Sequence, residues 1–159
     1  MSNRFDLIIF DCDGVLVDSE RVANEVFAEV LQQVCGLNFS LEQMFDTFVG
    51  HSKQQCLEKV EAMLGKAPPA ELSQRYQQDI DQALADSVQA VDGIGEVLQS
   101  LTLPCCVASS GSHAKMQVTL GKTGLKPYFG DNIFSTSEVA RGKPHPDIYL
   151  HAAQQLGNH

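Results

Sequence analysis

The stretch "LIIFDCDGVLVDSE", Leu7 to Glu20, decides the fold of this chain. An apolar run, Leu7–Phe10, leads straight into Asp11 and Asp13, one residue apart, and then Gly14. A short, continuous, β-rich apolar run is the pattern of a strand buried on both faces of a parallel sheet. In open α/β sheets, ligands gather at the carboxyl ends of the strands. Asp11 is the first residue past the run, so its carboxylate is expected at that edge. Gly14 lets the chain turn at once, and Asp13 then faces the same cavity. Two carboxylates this close repel unless a cation lies between them or one holds a proton. Both solutions imply chemistry. Hard oxygen ligands here suit Mg²⁺; a carboxylate can attack phosphorus, while a neighbouring acid protonates the leaving oxygen.

Further along, Cys105–Ala108 ("CCVA", ending at Ser109) repeats the buried-strand pattern, and Asn132–Ser135 ("NIFS") is a weaker third candidate. Between these two the spacing predicts a helix over 112–123, closed by Gly124. Strand, helix, strand points to a right-handed crossover in a parallel sheet. A last helix is expected from Pro146 to Leu156, with Gly157 at its end.

From Ser19 to about Ser87 no strand candidate occurs. Val22, Val26, Phe27, Val30 and Val34 share one helical face. Ser40 with Gln43, and Ser52 with Gln55, each match a capping box at a helix start. Cys56, Leu57, Val60, Met63 and Leu64 form an apolar stripe ended by Gly65 and "APPA", and a polar helix follows over 70–86. The chain therefore divides into an α/β core, residues 1–17 and 88–159, and an inserted helical domain, residues 18–87.

The bulk numbers fit this organisation. With 159 residues, 43% apolar and 19% charged, the composition is globular rather than disordered. A net charge of −9 argues against broad binding to nucleic acid or anionic membranes, while leaving room for an anionic small substrate. Five cysteines without a CxxC pair read as free thiols in a reducing cytosol. The N-terminus enters a strand within a few residues and no apolar run reaches membrane-span length, so a cytoplasmic protein is expected.

"FDCDGVLVDSE" resembles the first motif of the haloacid dehalogenase-like superfamily, in its phosphatase and phosphomutase branch. "VASSGS" is similar to the family's second motif, with its Ser/Thr on Ser109, and "GKPHPDIY" resembles the third, with the catalytic lysine on Lys143. The helical insert resembles the family's C1 cap. The resemblance implies a Rossmann-like parallel sheet under a helical cap and a small phosphorylated metabolite as substrate. It makes Asp11 the nucleophile, with one oxygen on Mg²⁺. Asp13 becomes the acid and base, with its main-chain carbonyl on the same ion. An acid at both positions favours phosphoryl transfer over carbon–halogen cleavage.

Ser109 then donates to a phosphoryl oxygen, with main-chain amides around Ser110 and Gly111 adding further donors, and Lys143 offsets the Asp11 charge. In the cap, "VGHSKQQ" is the expected specificity stretch, with Gly50, His51 and Lys53 as substrate-contacting candidates. Lys53 falls in the first turn of a predicted helix, where the macrodipole disfavours a cation; a side chain reaching for an anionic substrate accounts for the mismatch. Cys12 reads as a buried spacer, and His145, between two prolines, as a loop-shaping residue.

The branch includes 6-phosphogluconate, phosphoglycolate and other sugar-phosphate phosphatases. A β-phosphoglucomutase-like mutase shares the same motifs. The family's fourth motif, acids after a further strand, is not found before His159; neither Glu138 nor Asp147 follows a suitable strand. An incomplete core is expected to have weakened metal affinity and an apolar edge at "LIIF" open to self-association. A catalytically impaired binding module is the alternative reading.

Overall fold

The computed structural model describes residues 4–157. The chain forms two compact units, Met1–Ser19 with Val88–His159, and Glu20–Ser87. Along it run β1 (Ile8–Phe10), α1 (Ser19–Val30), α2 (Leu41–Phe48), α3 (Lys53–Leu64), α4 (Ala70–Ser87), α5 (Ile94–Ser100), β2 (Cys105–Ser109), α6 (His113–Lys122), α7 (Lys126–Phe129), β3 (Ile133–Ser135) and α8 (Asp147–Gln155).

In the first unit the strands form a parallel three-stranded sheet in the order β1-β2-β3. Ile9 stands opposite Cys106, and Val107 opposite Ile133. Because side chains alternate along a strand, β2 serves two helix layers. Cys106 and Ala108 are fully buried with Ile148 and Ala152, and Phe134 nearly so, on the face covered by α8. The opposite face carries α7, where the Phe129 ring meets Phe10 edge-on at 6.0 Å between centroids. β1 is half-buried rather than buried on both faces, because it lies at the end of the described sheet.

The short helix α5 has no clear sequence signal, since Gly93 and Gly95 lower helix propensity at its start. Burial decides it: Ile94 and Leu98, four residues apart, both enter the core.

The second unit is α1 to α4. Both predicted capping boxes form, with Ser40 and Ser52 accepting from the N–H groups of Gln43 and Gln55. The predicted stripe on α1 holds through Val22, Val26 and Val30, and then changes register. A π-helical turn, Leu31–Cys35, follows α1 and ends at Gly36 in the left-handed region. Its extra residue per turn rotates the apolar face, so Leu31 is buried and Val34 is only half-buried. On α3 the stripe narrows: Val60 is fully buried, while Met63 is 44% exposed. No described helix is long and apolar enough to cross a membrane.

Candidate active site

The first acidic motif is shaped by a tight loop. The carbonyl of Cys12 accepts the N–H groups of Val15, Leu16 and Val17, and Gly14 N–H donates to Val17 O at 2.8 Å. Gly14 takes φ 77°, a conformation that L side chains resist. Leu16 and Val17 are fully buried beneath the loop, each adding about 2 kcal/mol of apolar burial. The turn is thus pinned at Cys12, and its neighbours Asp11 and Asp13 are left as the polar positions. Cys12 itself is fully buried. Burial, reinforced by the Asp13 charge, pushes its thiol up to about 12. It stays protonated at neutral pH and acts as a spacer.

Each of the two carboxylates is paired with a cation: Lys143 on Asp11, as expected from the sequence, and Lys115 on Asp13, which was not. Asp11 Oδ1 accepts the Cys12 N–H at 2.8 Å and pairs with Lys143 Nζ at 3.0 Å. Asp13 Oδ1 accepts the Ser19 hydroxyl at 2.6 Å and pairs with Lys115 Nζ at 3.3 Å. Each acid therefore has its own lysine, and in each case both contacts fall on Oδ1. Lys143 is held further by donating to Ala108 O at 2.9 Å and by lying over the Tyr149 ring, 5.5 Å from its centroid.

Ser109 closes β2 and is 1% exposed. Its Oγ accepts the Gly111 N–H at 3.0 Å, which leaves the hydroxyl proton for another acceptor. The Gly111 amide, expected to face an anion, is therefore occupied, while Ser110 and Ser112 on either side of it are exposed. The Gly111 carbonyl is anchored by Ser135 Oγ at 2.7 Å, from the end of β3. A side chain at position 111 would bring its Cβ to 3.3 Å from Ser109 Oγ, 3.5 Å from Asp13 Oδ2 and 3.7 Å from the Lys115 stem. Asp13, Ser109, Gly111 and Lys115 therefore crowd one small space, and Lys143, from the loop before α8, pairs with Asp11 just past the end of β1.

The cap candidates lie in the second unit. Gly50 has φ 82°, and His51 places Nδ1 at 3.1 Å from Val49 O. Lys53 is the first residue of α3. His51 and Lys53 line a cleft of about 360 Å³ whose other walls include Phe27, Phe48, Leu72 and Tyr76. Within this lining the Phe27 ring meets Phe48 and Tyr76 edge-on.

The remaining acids of the first unit have other partners. Glu138 accepts the Ser135 N–H and pairs with His113 and His151. Partial burial pushes its carboxyl up, but these hydrogen bonds outweigh burial and hold it below the usual range. The Arg141 guanidinium holds Asp147 low through a hydrogen bond, and His145 N–H closes its loop on Gly142 O. Among the described residues, no cluster of three or more His, Cys, Asp or Glu side chains is placed to share a metal ion. The Asp11 carboxylate, 46% exposed, is the hard oxygen donor that fits Mg²⁺. That ion is commonly held by only one or two carboxylates, with waters and substrate oxygens completing its shell.

Lys115, Ser135 and Tyr149 are absent from the sequence-derived site. Lys115 had a usable signal. It is the third residue of α6, a first-turn cation that the macrodipole disfavours, the same anomaly that singled out Lys53. Ser135 and Tyr149 had none beyond their places at a strand end and on a helix.

Residues 5–159 match the family model described as haloacid dehalogenase-like hydrolase. A 6-phosphogluconate phosphatase from Escherichia coli K12 is 31% identical over 155 residues, covering 97% of this chain and 70% of that protein. A haloacid dehalogenase-like protein from Agrobacterium tumefaciens C58 superposes with a TM-score of 0.87 at 40% identity, over 97% of this chain and 70% of its own. A family hydrolase from Deinococcus radiodurans R1, solved with bound phosphate and sodium, superposes with a TM-score of 0.84 at 33% identity, over 97% and 68%.

Proposed function

This chain belongs to the haloacid dehalogenase-like hydrolase family, and from that premise we propose that it hydrolyses small phosphate monoesters, sugar phosphates or phospho-organic acids, through a phosphorylated Asp11. The arrangement that carries this reading is Lys143 Nζ lying between Asp11 Oδ1 at 3.0 Å and Ala108 O at 2.9 Å, beside buried Ser109. A nucleophilic carboxylate and a hydroxyl with a proton to give stand at neighbouring strand ends, and a cation fixed from the loop before α8 reaches between them. The 6-phosphogluconate phosphatase relative supports the substrate class.

With Oδ1 occupied, Asp11 attacks phosphorus through Oδ2. The ester P–O bond breaks and the leaving oxygen takes a proton from Asp13. In the second step Asp13 takes a proton from water, whose oxygen displaces the Asp11 carboxylate and frees inorganic phosphate. Little covalent work is left to the protein, so catalysis is positioning and charge stabilisation. Lys143 and the Ser109 hydroxyl meet the phosphoryl oxygens, and the Ser110 amide is assigned to the same charge. Asp11 and the main-chain carbonyl of Asp13 would hold Mg²⁺, which supplies Lewis-acid neutralisation of the phosphoryl group when bound. Gly50, His51 and Lys53 are assigned to the leaving group, with Lys53 as the cation for an anionic substituent.

The test is turnover of p-nitrophenyl phosphate and 6-phosphogluconate with Mg²⁺, by wild type and Asp11→Asn. Wild-type activity should fall by at least about 10³-fold in the variant, and acid-quenched wild type should carry phosphate on the Asp11 peptide. Undiminished activity in Asp11→Asn overturns the reading.

A further inference from the structure

We propose that Lys115 is a positioning residue for Asp13, fixing one oxygen of its carboxylate so that the other is presented for proton transfer. The inference rests on the phosphatase reading above and extends it to a residue outside the motifs.

Two observations carry it. Lys115 Nζ and the Ser19 hydroxyl converge on the same atom, Asp13 Oδ1, at 3.3 and 2.6 Å. Oδ2 makes neither of these contacts and lies 3.5 Å from the point where a Cβ on Gly111 would stand, a point that Ser109 Oγ approaches to 3.3 Å. The carboxylate plane is therefore set by two donors from different elements, and Oδ2 faces the Ser109–Gly111 loop.

The second observation is the lysine's own placement. Lys115 occupies the first turn of α6, where its N–H caps onto Ser112 Oγ and a cation meets the positive end of the helix. Its stem lies along Gly111, 3.7 Å from the same Cβ point, so the glycine leaves the path to Asp13 open. Asp11 shows the same device. A main-chain N–H and Lys143 both engage its Oδ1. Lys115 does for the acid what Lys143 does for the nucleophile.

In the first step the proton on Asp13 Oδ2 passes to the leaving oxygen as the ester bond breaks. In the second, Oδ2 receives a proton from the attacking water. Lys115 exchanges no proton in either; it holds the plane in which both transfers occur. A carboxylate free to rotate spends less time aligned.

The test is a double-mutant cycle on the full chain, with p-nitrophenyl phosphate and 6-phosphogluconate as probes. Lys115→Met should lower kcat about tenfold with KM moved less than threefold, and Lys115→Arg should recover most of the loss. In an Asp13→Asn background the same substitution should cost nothing further. An equal loss in that background, or a loss confined to KM, overturns the proposal; the latter would make Lys115 a substrate-binding cation. The pair is also read without turnover. The side-chain carboxyl ¹³C resonance of Asp13 should move in Lys115→Met and stay in Lys122→Met, a control on the same helix. No movement overturns the assignment even if wild type turns over phosphate. Movement together with no Asp11-dependent turnover leaves the pairing standing and removes the phosphatase reading.

Discussion

The two units of this chain meet polar and apolar demands in opposite ways. In the sheet unit the chemistry-bearing side chains stand at strand ends, each held by a named donor or acceptor: Asp11 by Lys143, Asp13 by Lys115 and Ser19, the Gly111 carbonyl by Ser135. In the helical unit the cleft is walled by aromatic and aliphatic side chains, and its polar members His51 and Lys53 are exposed. Parallel strands bring carboxyl ends of distant segments to one edge, where directional charges can be locked. Helices pack by faces, which yields shape with few fixed polar contacts. On the proposed function, the first unit carries the reaction, while the second offers a cleft that can select by fit.

Three substitutions strain this contrast, in decreasing size of effect. Lys143→Met removes the cation between Asp11 and Ala108 O, and kcat/KM for p-nitrophenyl phosphate should fall about 10²-fold. A loss below threefold would mean that the strand-end charges do not set the chemistry. Leu72→Ala removes a fully buried side chain from the helical unit, costing about 3 kcal/mol. Hydrogen exchange should report this as lost protection in α3 and α4. An equal loss in β2 would show that the two units unfold together.

Glu138→Gln has the smallest effect, and a pH dependence of known sign. The Glu138 carboxyl is held low in the folded protein, so the folded form binds fewer protons and the charged carboxylate stabilises it. That contribution is present above the unfolded value of about 4.3 and disappears as pH falls through the folded one. Wild type should melt above the variant at pH 6, with the gap closing toward pH 3. A gap that widens on acidification contradicts the assignment.

Much of this was legible in the chain. The apolar run ending before Asp11, the glycine at position 14 and the serine ending β2 mark the candidate site by local rules alone. The capping boxes at Ser40 and Ser52 locate the starts of α2 and α3 in the same way. Where the structure departed, longer-range packing had overruled a local pattern. Burial made α5 despite its glycines, and a π-helical turn moved the buried face from Val34 to Leu31. β1 remained half-buried at the end of the described sheet.

By itself, then, the amino-acid order determined which residue types stand at the strand ends and the succession of strand, helical insert, strand, helix and strand. Periodicity, turns and caps are properties of neighbouring residues. Packing between distant segments brings Lys115 to Asp13, Ser135 to the loop after β2 and Tyr149 beneath Lys143. A lysine stem sweeps a wide volume, and nothing within one helix states which carboxylate from another segment will fall inside it.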